Sequence, residues 1–188
     1  MSAPSTLFLI SPANLQGKRG QMLLGPPGSS EIARQLRTTS VPLGELFTFV
    51  SGLYFRGKLA YARAFGRAPA GKPSVFVMTA GGGLCLPDDP VTLGRLEGWQ
   101  GVTVSETNPH FTAPLQRHAS ELWDQHGDGA RFVLLGSVAS NKYVAPLREV
   151  LGERLLFPER FAGLGDMARG SLLLSAVADG RELAYAPI

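Results

Sequence analysis

The stretch RFVLLGSVASNKY, residues 131–143, decides the fold class of this chain. Its four apolar residues at 132–135 are followed at once by a Gly-Ser pair, and a helical segment begins after a short polar turn. An unbroken apolar run of this kind is typical of a strand that is buried on both faces in a parallel sheet. Two other runs end in the same way, TLFLIS at 6–11 and VFVMTA at 75–80. These strands alternate with helical segments, which predicts an α/β fold with a central, mostly parallel sheet of about four to five strands, flanked by helices.

The totals of the sequence favour a single globular domain. The chain has 188 residues, of which 44% are hydrophobic, and we predict one α/β domain over residues 1–188. Its formal net charge of +3 is compatible with a polyanionic partner but does not require one. The single cysteine, Cys85, excludes an internal disulfide framework and indicates a reducing, cytoplasmic location. No apolar run approaches the roughly 20 residues of a membrane span, so no membrane partner is expected.

The remaining elements follow from apolar periodicity and from helix caps. Ser29 or Ser30 is positioned to cap a helix that begins with Glu31, and the segment before it is predicted to be a long loop. Further helices are predicted at 52–65, 110–126, 141–151 and 167–178, and short strands at 102–104 and 154–157.

Polar residues follow each of the three apolar runs and mark the expected ligand site. In a parallel α/β sheet the carboxyl ends of the strands open onto one edge, and ligands bind in the crevice there. Hydroxyls, glycine amides and cations suit phosphate oxygens. The predicted ligand-binding residues are Ser11, Lys18, Arg19, Thr79, Gly81, Gly82, Gly83, Ser137 and Asn141. The alternative for the three glycines is a tight turn after the strand, which needs positive φ for structural reasons alone.

Three residues are candidates for catalysis. Asp88 or Asp89 would supply a carboxylate that orients a sugar hydroxyl or acts as a base, and Lys142 would engage a phosphate. We predict no metal and no cofactor. The sequence contains no HExxH or CxxC motif, and its three histidines are eight residues apart. The segment LGPPG at 24–28 resembles the start of a phosphate-binding loop but lacks the following Gly-Lys-Ser/Thr, so we exclude an NTPase of that type.

Short motifs resemble the YaaA peroxide-stress family. LISPA at 9–13 is similar to that family's "LISPAK", and VASNKY at 138–143 to its "NLASNEY". LYFRG at 53–57 and the segment 79–87 resemble, in the same order, "LYxGxLF" and "SAxxGLxxPD" of related small domains found near deazaguanine modification systems. The family lysine after "LISPA" is Asn14 here, and its glutamate is Lys142. The resemblance implies a cytoplasmic α/β protein linked to DNA or nucleotide handling, with no reaction that transfers directly.

Three functions are therefore open. The first is a nucleotide- or nucleic-acid-binding protein of the YaaA kind that acts on a nucleobase or on its N-glycosidic bond. The second is a non-catalytic DNA-binding stress-response protein that uses Arg56, Lys58 and Arg63 of the helix at 52–65, whose cationic face is otherwise a solvated surface. The third is an interaction module without a catalytic site. The sequence predicts no oligomeric state.

Overall fold

The computed structural model of the protein describes residues 4–26 and 30–188. Within these residues the chain forms eight strands: β1 (Thr6–Ile10), β2 (Val41–Pro42), β3 (Val75–Thr79), β4 (Gly83–Cys85), β5 (Pro90–Val91), β6 (Arg131–Leu135), β7 (Leu155–Pro158) and β8 (Tyr185–Pro187). It also forms eight α-helices: α1 (Lys18–Leu24), α2 (Glu31–Thr38), α3 (Leu43–Ser51), α4 (Leu53–Phe65), α5 (Leu93–Gln100), α6 (Pro109–His126), α7 (Asn141–Leu151) and α8 (Asp166–Ala178).

Six of these strands form the central sheet, in the order β4-β3-β1-β6-β7-β8. The inner strands β3, β1, β6 and β7 are parallel, whereas β4 and β8 are antiparallel at the two edges. The predicted fold class is confirmed, with one strand more than the upper number expected. The short strands β2 and β5 pair separately as a two-stranded sheet.

Apolar runs fill the inner strands because both faces of the sheet are covered. Every residue of β1 and of β3 is buried. On one face, Phe8 and Ile10 pack in a core that includes residues of α3, α4 and α8. On the other face, Leu7 and Leu9 pack against residues of α6 and α7. The alternation of side chains along one strand therefore divides the core into two layers.

The connections give the sheet a switch point. From β1 the chain passes through α1 to α4 on one face and returns as β3, on one side of β1. From β3 it passes through α6 on the other face and returns as β6, on the opposite side of β1. From β6 the chain continues through α7, on the same face as α6. The connections that leave β1 and β6 therefore lie on opposite faces of the sheet, and a crevice is expected between the carboxyl ends of these two strands.

Two glycines let helix α4 approach α8 closely. A Cβ atom at Gly57 would lie 2.8 Å from the backbone oxygen of Gly170, and one at Gly170 would lie 3.0 Å from Cα of Tyr54. A Cβ atom would clash at Gly57 and would be tight at Gly170, so the two glycines let the backbones pack against each other. This contact brings Tyr54 and Lys58 of α4 beside the first turn of α8.

Some sequence predictions are confirmed and others are wrong. Ser30 caps α2, and its Oγ accepts a hydrogen bond from the backbone NH of Ala33 at 3.3 Å; the alternative cap, Ser29, lies outside the described residues. The long loop predicted before this cap contains α1, and the LGPPG segment at 24–28 is described only as far as Pro26. The edge strand predicted at 102–104 is a loop, because β4 and β8 occupy the sheet edges. Among the described helices, none combines the length and apolarity needed to cross a membrane.

Candidate functional site

A cavity of about 430 Å³ opens at the carboxyl edge of the sheet. The walls of this carboxyl-edge cavity are residues 12–16 after β1, Ala80 after β3, Lys142 and Tyr143 at the start of α7, Phe47, Trp99, Gln100 and residues 102–104. Segments that follow three parallel strands thus surround one space, near the switch point of the sheet. Open α/β sheets bind ligands at this place, and the volume is in the range of small-molecule sites.

Aromatic, amide and cationic side chains share this cavity. Trp99 and Tyr143 supply aromatic rings, and Gln16 and Gln100 supply amides. The side chain of Gln16 donates a hydrogen bond from Nε2 to the backbone oxygen of Gln100 at 2.9 Å, which ties the segment after β1 to the end of α5. The Lys142 ammonium lies 5.0 Å from the centroid of the Tyr143 ring and brings positive charge to the wall.

Next to the cavity, a buried lysine holds the end of β1. Only 2% of the surface of Lys58 is exposed. Its Nζ donates hydrogen bonds to the backbone oxygen and to Oγ of Ser11, both at 2.9 Å, and lies 4.4 Å from the centroid of the Tyr54 ring. Ser11 directly precedes Pro12, the first residue of the cavity wall. We call this arrangement the Ser11–Lys58 pair.

Burial changes the protonation of this lysine. It lowers the pKa of Lys58 to about 7, because the ammonium has lost its hydration. The Asp166 carboxylate opposes this shift, and the Arg169 guanidinium adds to it. Near pH 7, neutral and charged forms of the amine are therefore both populated, which is the condition for a group that takes up and releases protons.

Two tyrosines lie close to the same cluster. The Tyr54 hydroxyl is buried, and the Arg169 guanidinium lies close to it. Burial raises its pKa to about 12, against the opposing influence of the Arg169 guanidinium. Burial also raises the pKa of Tyr143 to about 12, with further contributions from Tyr54 and Asp166. Both phenols therefore keep their protons at neutral pH.

The sequence placed Lys58 on a solvated cationic face, and that assignment is wrong. Arg56 and Arg63 are exposed on α4, but Lys58 lies on its buried stripe. The spacing of residues in the sequence already indicated that Lys58 is buried. Lys58 is four residues after Tyr54 and three before Tyr61, both of which are buried. Residues at these distances share one face of a helix, so a lysine there points into the core.

Four predicted ligand-binding residues lie outside the wall of the carboxyl-edge cavity. Lys18 is exposed on α1, and Arg19 donates a hydrogen bond from Nη1 to the backbone oxygen of Phe49 at 3.3 Å. Ser137 is half-buried, and its Oγ accepts a hydrogen bond from a backbone NH two residues later at 3.3 Å. Asn141 is exposed at the start of α7. Of the predicted residues, the structure thus brings together Lys142 on the wall and Ser11 directly before it.

The loop of Thr79, Gly81, Gly82 and Gly83 closes the turn between β3 and β4. Thr79 Oγ1 accepts a hydrogen bond from the backbone NH of Gly82 at 3.0 Å and donates one to the backbone oxygen of Gly83 at 3.1 Å. Trp99 covers the loop, since Cβ atoms at Gly81 and Gly82 would lie 3.3 and 3.1 Å from its ring. Gly83 has a φ of +65°. The sequence analysis gave two interpretations of the three glycines, ligand binding and a tight turn. These contacts favour the tight turn.

The two predicted carboxylates also lie elsewhere. Asp88 forms an exposed ion pair with Arg63, with an N–O distance of 2.7 Å, and borders a different cavity near Thr48. Asp89 Oδ2 accepts a hydrogen bond from the backbone NH of Leu86 at 2.8 Å and so shapes the turn after β4. Neither residue lines the carboxyl-edge cavity, so the expected carboxylate beside Lys142 is missing from its wall.

One histidine, His118, and the single cysteine, Cys85, lie at the hairpin formed by β3 and β4. His118 Nδ1 accepts a hydrogen bond from the backbone NH of Leu84 at 3.0 Å. Cys85 is buried, and burial raises the pKa of its thiol although the nearby Arg95 opposes this shift. Residues 4–26 and 30–188 contain no cluster of three or more histidine, cysteine or carboxylate side chains that could hold a metal ion.

No family model, no curated protein and no solved structure matches this chain. The resemblance to the YaaA family therefore stays a prediction from short motifs. Two of those motifs, residues 9–13 and 138–143, lie at the end of β1 and at the start of α7. Both contribute to the wall of the carboxyl-edge cavity.

Proposed function

We propose that the protein binds a nucleotide in the carboxyl-edge cavity and acts on its nucleobase or N-glycosidic bond. The observation that carries this proposal is the composition of the wall, which combines aromatic rings, amides and the Lys142 ammonium around about 430 Å³. Stacking on an aromatic ring suits any nucleobase, and amides pair with the donors and acceptors of base edges. A lysine ammonium suits a phosphate.

The Ser11–Lys58 pair supports the chemical part of the proposal. Removal of a nucleobase requires a proton for the leaving base and activation of the incoming nucleophile. An amine with a pKa of about 7 is suited to both tasks near neutral pH. In this proposal Lys58 takes the acid–base role that the sequence predicted for Asp88 or Asp89.

The site favours a small nucleotide over duplex DNA as the ligand. Lys142 is the cation on the wall, and Lys58, which the DNA-binding alternative needs on the surface, is buried. Binding through about one phosphate contact gives a shallow dependence on salt, with a slope of log K against log salt of about −1 or less. A duplex held by several cations would give a much steeper slope.

Isothermal titration with nucleobases, nucleosides and nucleoside monophosphates tests the binding step. We expect the monophosphate to bind more tightly than its nucleoside. Lys142→Ala should weaken monophosphate binding about tenfold, because it removes a charged hydrogen bond, and should leave nucleoside binding unchanged. Arg56→Ala, which changes an exposed cation on α4 away from the cavity, is the matched control. The absence of binding to every compound at millimolar concentration would contradict the proposal.

The reaction is tested separately by chromatography of nucleosides and nucleotides after incubation with the protein. We expect release of the free base or a modified base, with Lys58→Met inactive. If ligands bind but every one is recovered intact, the protein binds nucleotides without the proposed reaction.

A further inference from the structure

We propose that the nucleotide bound in the carboxyl-edge cavity carries adenine, and that Asn14 and Gln16 recognise the edge of this base. The inference rests on the proposed function for the presence of a nucleotide. It adds the identity of the base and the two residues that select it. Both residues line the wall of the cavity and are exposed, so a ligand can reach their side chains.

Hydrogen bonds within the chain fix the orientation of the two amides. Asn14 Oδ1 accepts a hydrogen bond from the backbone NH of Gln16 at 3.0 Å. Gln16 Nε2 donates one to the backbone oxygen of Gln100 at 2.9 Å. Oxygen and nitrogen are the two ends of one planar group, so the end that is bonded determines which end is left for a ligand.

The other end of each amide is free to bind a ligand. Among the described residues, no group forms a hydrogen bond with Asn14 Nδ2 or with Gln16 Oε1. The segment therefore offers the cavity a donor and an acceptor from residues two positions apart. Two more hydrogen bonds hold its backbone, from the NH of Gly17 to the oxygen of Asn14 and from Nε2 of Gln21 to the oxygen of Gln16, both at 3.3 Å. A ligand thus meets groups that are already in place, and little ordering opposes binding.

A donor beside an acceptor matches the edge of adenine. The amino group N6 donates and the adjacent ring nitrogen N1 accepts, and in a free nucleotide this edge is not paired with another base. Amides recognise adenine in proteins because they supply one donor and one acceptor. Guanine and hypoxanthine carry the opposite pattern, a carbonyl at C6 and an NH at N1. In the same position they would place oxygen against Gln16 Oε1 and NH against Asn14 Nδ2, which leaves all four groups unpaired.

Cytosine shares the pattern of adenine, and the rest of the wall favours adenine. The N4 amino group of cytosine is typically bound by a carboxylate, and the wall formed by the described residues contains none. Trp99 and Tyr143 supply aromatic rings, and a purine covers more of such a surface than a pyrimidine does. The volume of about 430 Å³ accommodates the larger base.

Isothermal titration with the monophosphates of adenosine, inosine and cytidine tests the inference. Inosine differs from adenosine only in the groups at C6 and N1. We expect adenosine monophosphate to bind about tenfold or more tightly than inosine monophosphate, which is the discrimination typical of amides paired with adenine. Cytidine monophosphate should bind about fivefold more weakly than adenosine monophosphate, because it stacks over a smaller area.

Two variants assign the preference to the two residues. Asn14→Asp keeps the oxygen that accepts from the Gln16 NH and replaces the donor with an acceptor, which suits the NH at N1 of inosine. The ratio of adenosine to inosine monophosphate affinity should fall about fivefold or more, and repulsion between the new carboxylate and the phosphate cancels in this ratio. Gln16→Met removes the acceptor at similar side-chain length and should also lower the ratio. Asn141→Asp makes the matched change at an exposed residue outside the wall and should leave the ratio unchanged.

The outcomes distinguish this inference from the nucleotide proposal. Equal affinity for adenosine and inosine monophosphates, or an unchanged ratio in Asn14→Asp, overturns the recognition of the base by Asn14 and Gln16 while nucleotide binding stands. Cytidine monophosphate bound as tightly as adenosine monophosphate overturns the assignment of adenine. If none of the three binds at millimolar concentration, the proposed function fails and the inference fails with it.

Discussion

The carboxyl ends of β1 and β3 have different surroundings although their sequences look alike. Both are buried five-residue strands with a hydroxyl residue near the carboxyl end, Ser11 directly after β1 and Thr79 as the last residue of β3, and they are neighbours in the sheet. After β1 the chain continues along the carboxyl-edge cavity, and the Ser11 hydroxyl lies against a buried amine. After β3 the chain turns back at once as β4, and the Thr79 hydroxyl is bonded within the turn. An apolar run that is followed by polar residues therefore predicts where the edge of the sheet lies. It does not show which of those polar groups are free of hydrogen bonds within the local turn.

The largest effect is expected from Gly83→Ala in the β3 hairpin. Gly83 has a φ of +65°, and an added Cβ would lie 2.6 Å from the backbone oxygen of Pro114. Strain at positive φ and overpacking together should lower the free energy of unfolding by about 4 kcal/mol. Urea denaturation measures the loss.

Gly71→Ala is the matched control for that variant. Its φ of +78° is equally unusual, but no atom lies within 4 Å of an added Cβ. We expect a loss of only about 1 kcal/mol, from backbone strain alone. Equal losses in the two variants would mean that contact with α6 does not fix the hairpin, and the contrast with the end of β1 would weaken.

The second effect concerns pH and the end of β1. The pKa of Lys58 is about 7 in the folded protein and 10.5 as the reference value, so between these values the unfolded chain binds a proton that the folded protein does not. Stability therefore rises with pH in this window. From pH 7 to 9 the free energy of unfolding should rise by about 2 kcal/mol more in the unmodified protein than in Lys58→Met.

Urea titrations of both proteins at pH 7, 8 and 9 measure this difference. The raised pKa values of Tyr54 and Tyr143 lower stability only near and above pH 10, where tyrosine ionises in the unfolded chain. Cys85 is present in both proteins, so its contribution cancels. Parallel pH profiles would show that Lys58 keeps its charge in the fold, contrary to the role assigned to it.

The third effect is smaller and again belongs to β3. Thr79→Val removes the hydroxyl that accepts from the Gly82 NH and donates to the Gly83 oxygen. We expect a loss of about 1 kcal/mol in the free energy of unfolding, with nucleotide affinity unchanged. Thr38→Val, at an exposed helix end where water replaces the hydroxyl, is the control and should change stability less. A loss of nucleotide affinity in Thr79→Val would restore the glycine loop as part of the site.

The smallest effect is expected from Asp88→Asn. Its ion pair with Arg63 is exposed, and such pairs contribute little to stability. Urea denaturation and base release should both match the unmodified protein. Loss of activity at unchanged stability would return Asp88 to the catalytic role that the sequence predicted for it.

Much of the fold was predictable because local patterns determine it. β6 was predicted from the apolar run that begins the stretch at 131–143 and is observed at Arg131–Leu135, since an apolar run this short, followed at once by Gly-Ser, favours a buried strand. Helix α7 was predicted at 141–151 and is observed at Asn141–Leu151. The edge strands β4 and β8 were missed. Each of these strands has three residues, too few to show the alternation of apolar and polar residues that is typical of a strand. Each adopts the extended structure because it pairs with a neighbouring strand.

The candidate site was predictable in place but only partly in composition. Lys142 and Ser11 were predicted near one another because they follow strands that end at one edge, and the structure places both at or beside the cavity there. Lys58 was missed as a buried residue because charged residues are rarely buried, and the interpretation gave more weight to its charge than to its spacing. Asp88 and Asp89 were chosen for their chemistry, but the hairpin carries them to a turn beside a different cavity.

The sequence by itself determined the α/β class, the parallel inner strands and the sheet edge at which the cavity lies, because these depend on the order and length of the apolar runs along the chain. The tertiary structure alone decided which polar groups meet at that edge. Gly57 and Gly170 bring α4 onto α8, and that contact buries Lys58 beside Ser11. A pKa near neutrality follows from that burial. The pKa of Lys58 depends on the groups that surround the amine in space, and these groups belong to residues that are distant in sequence.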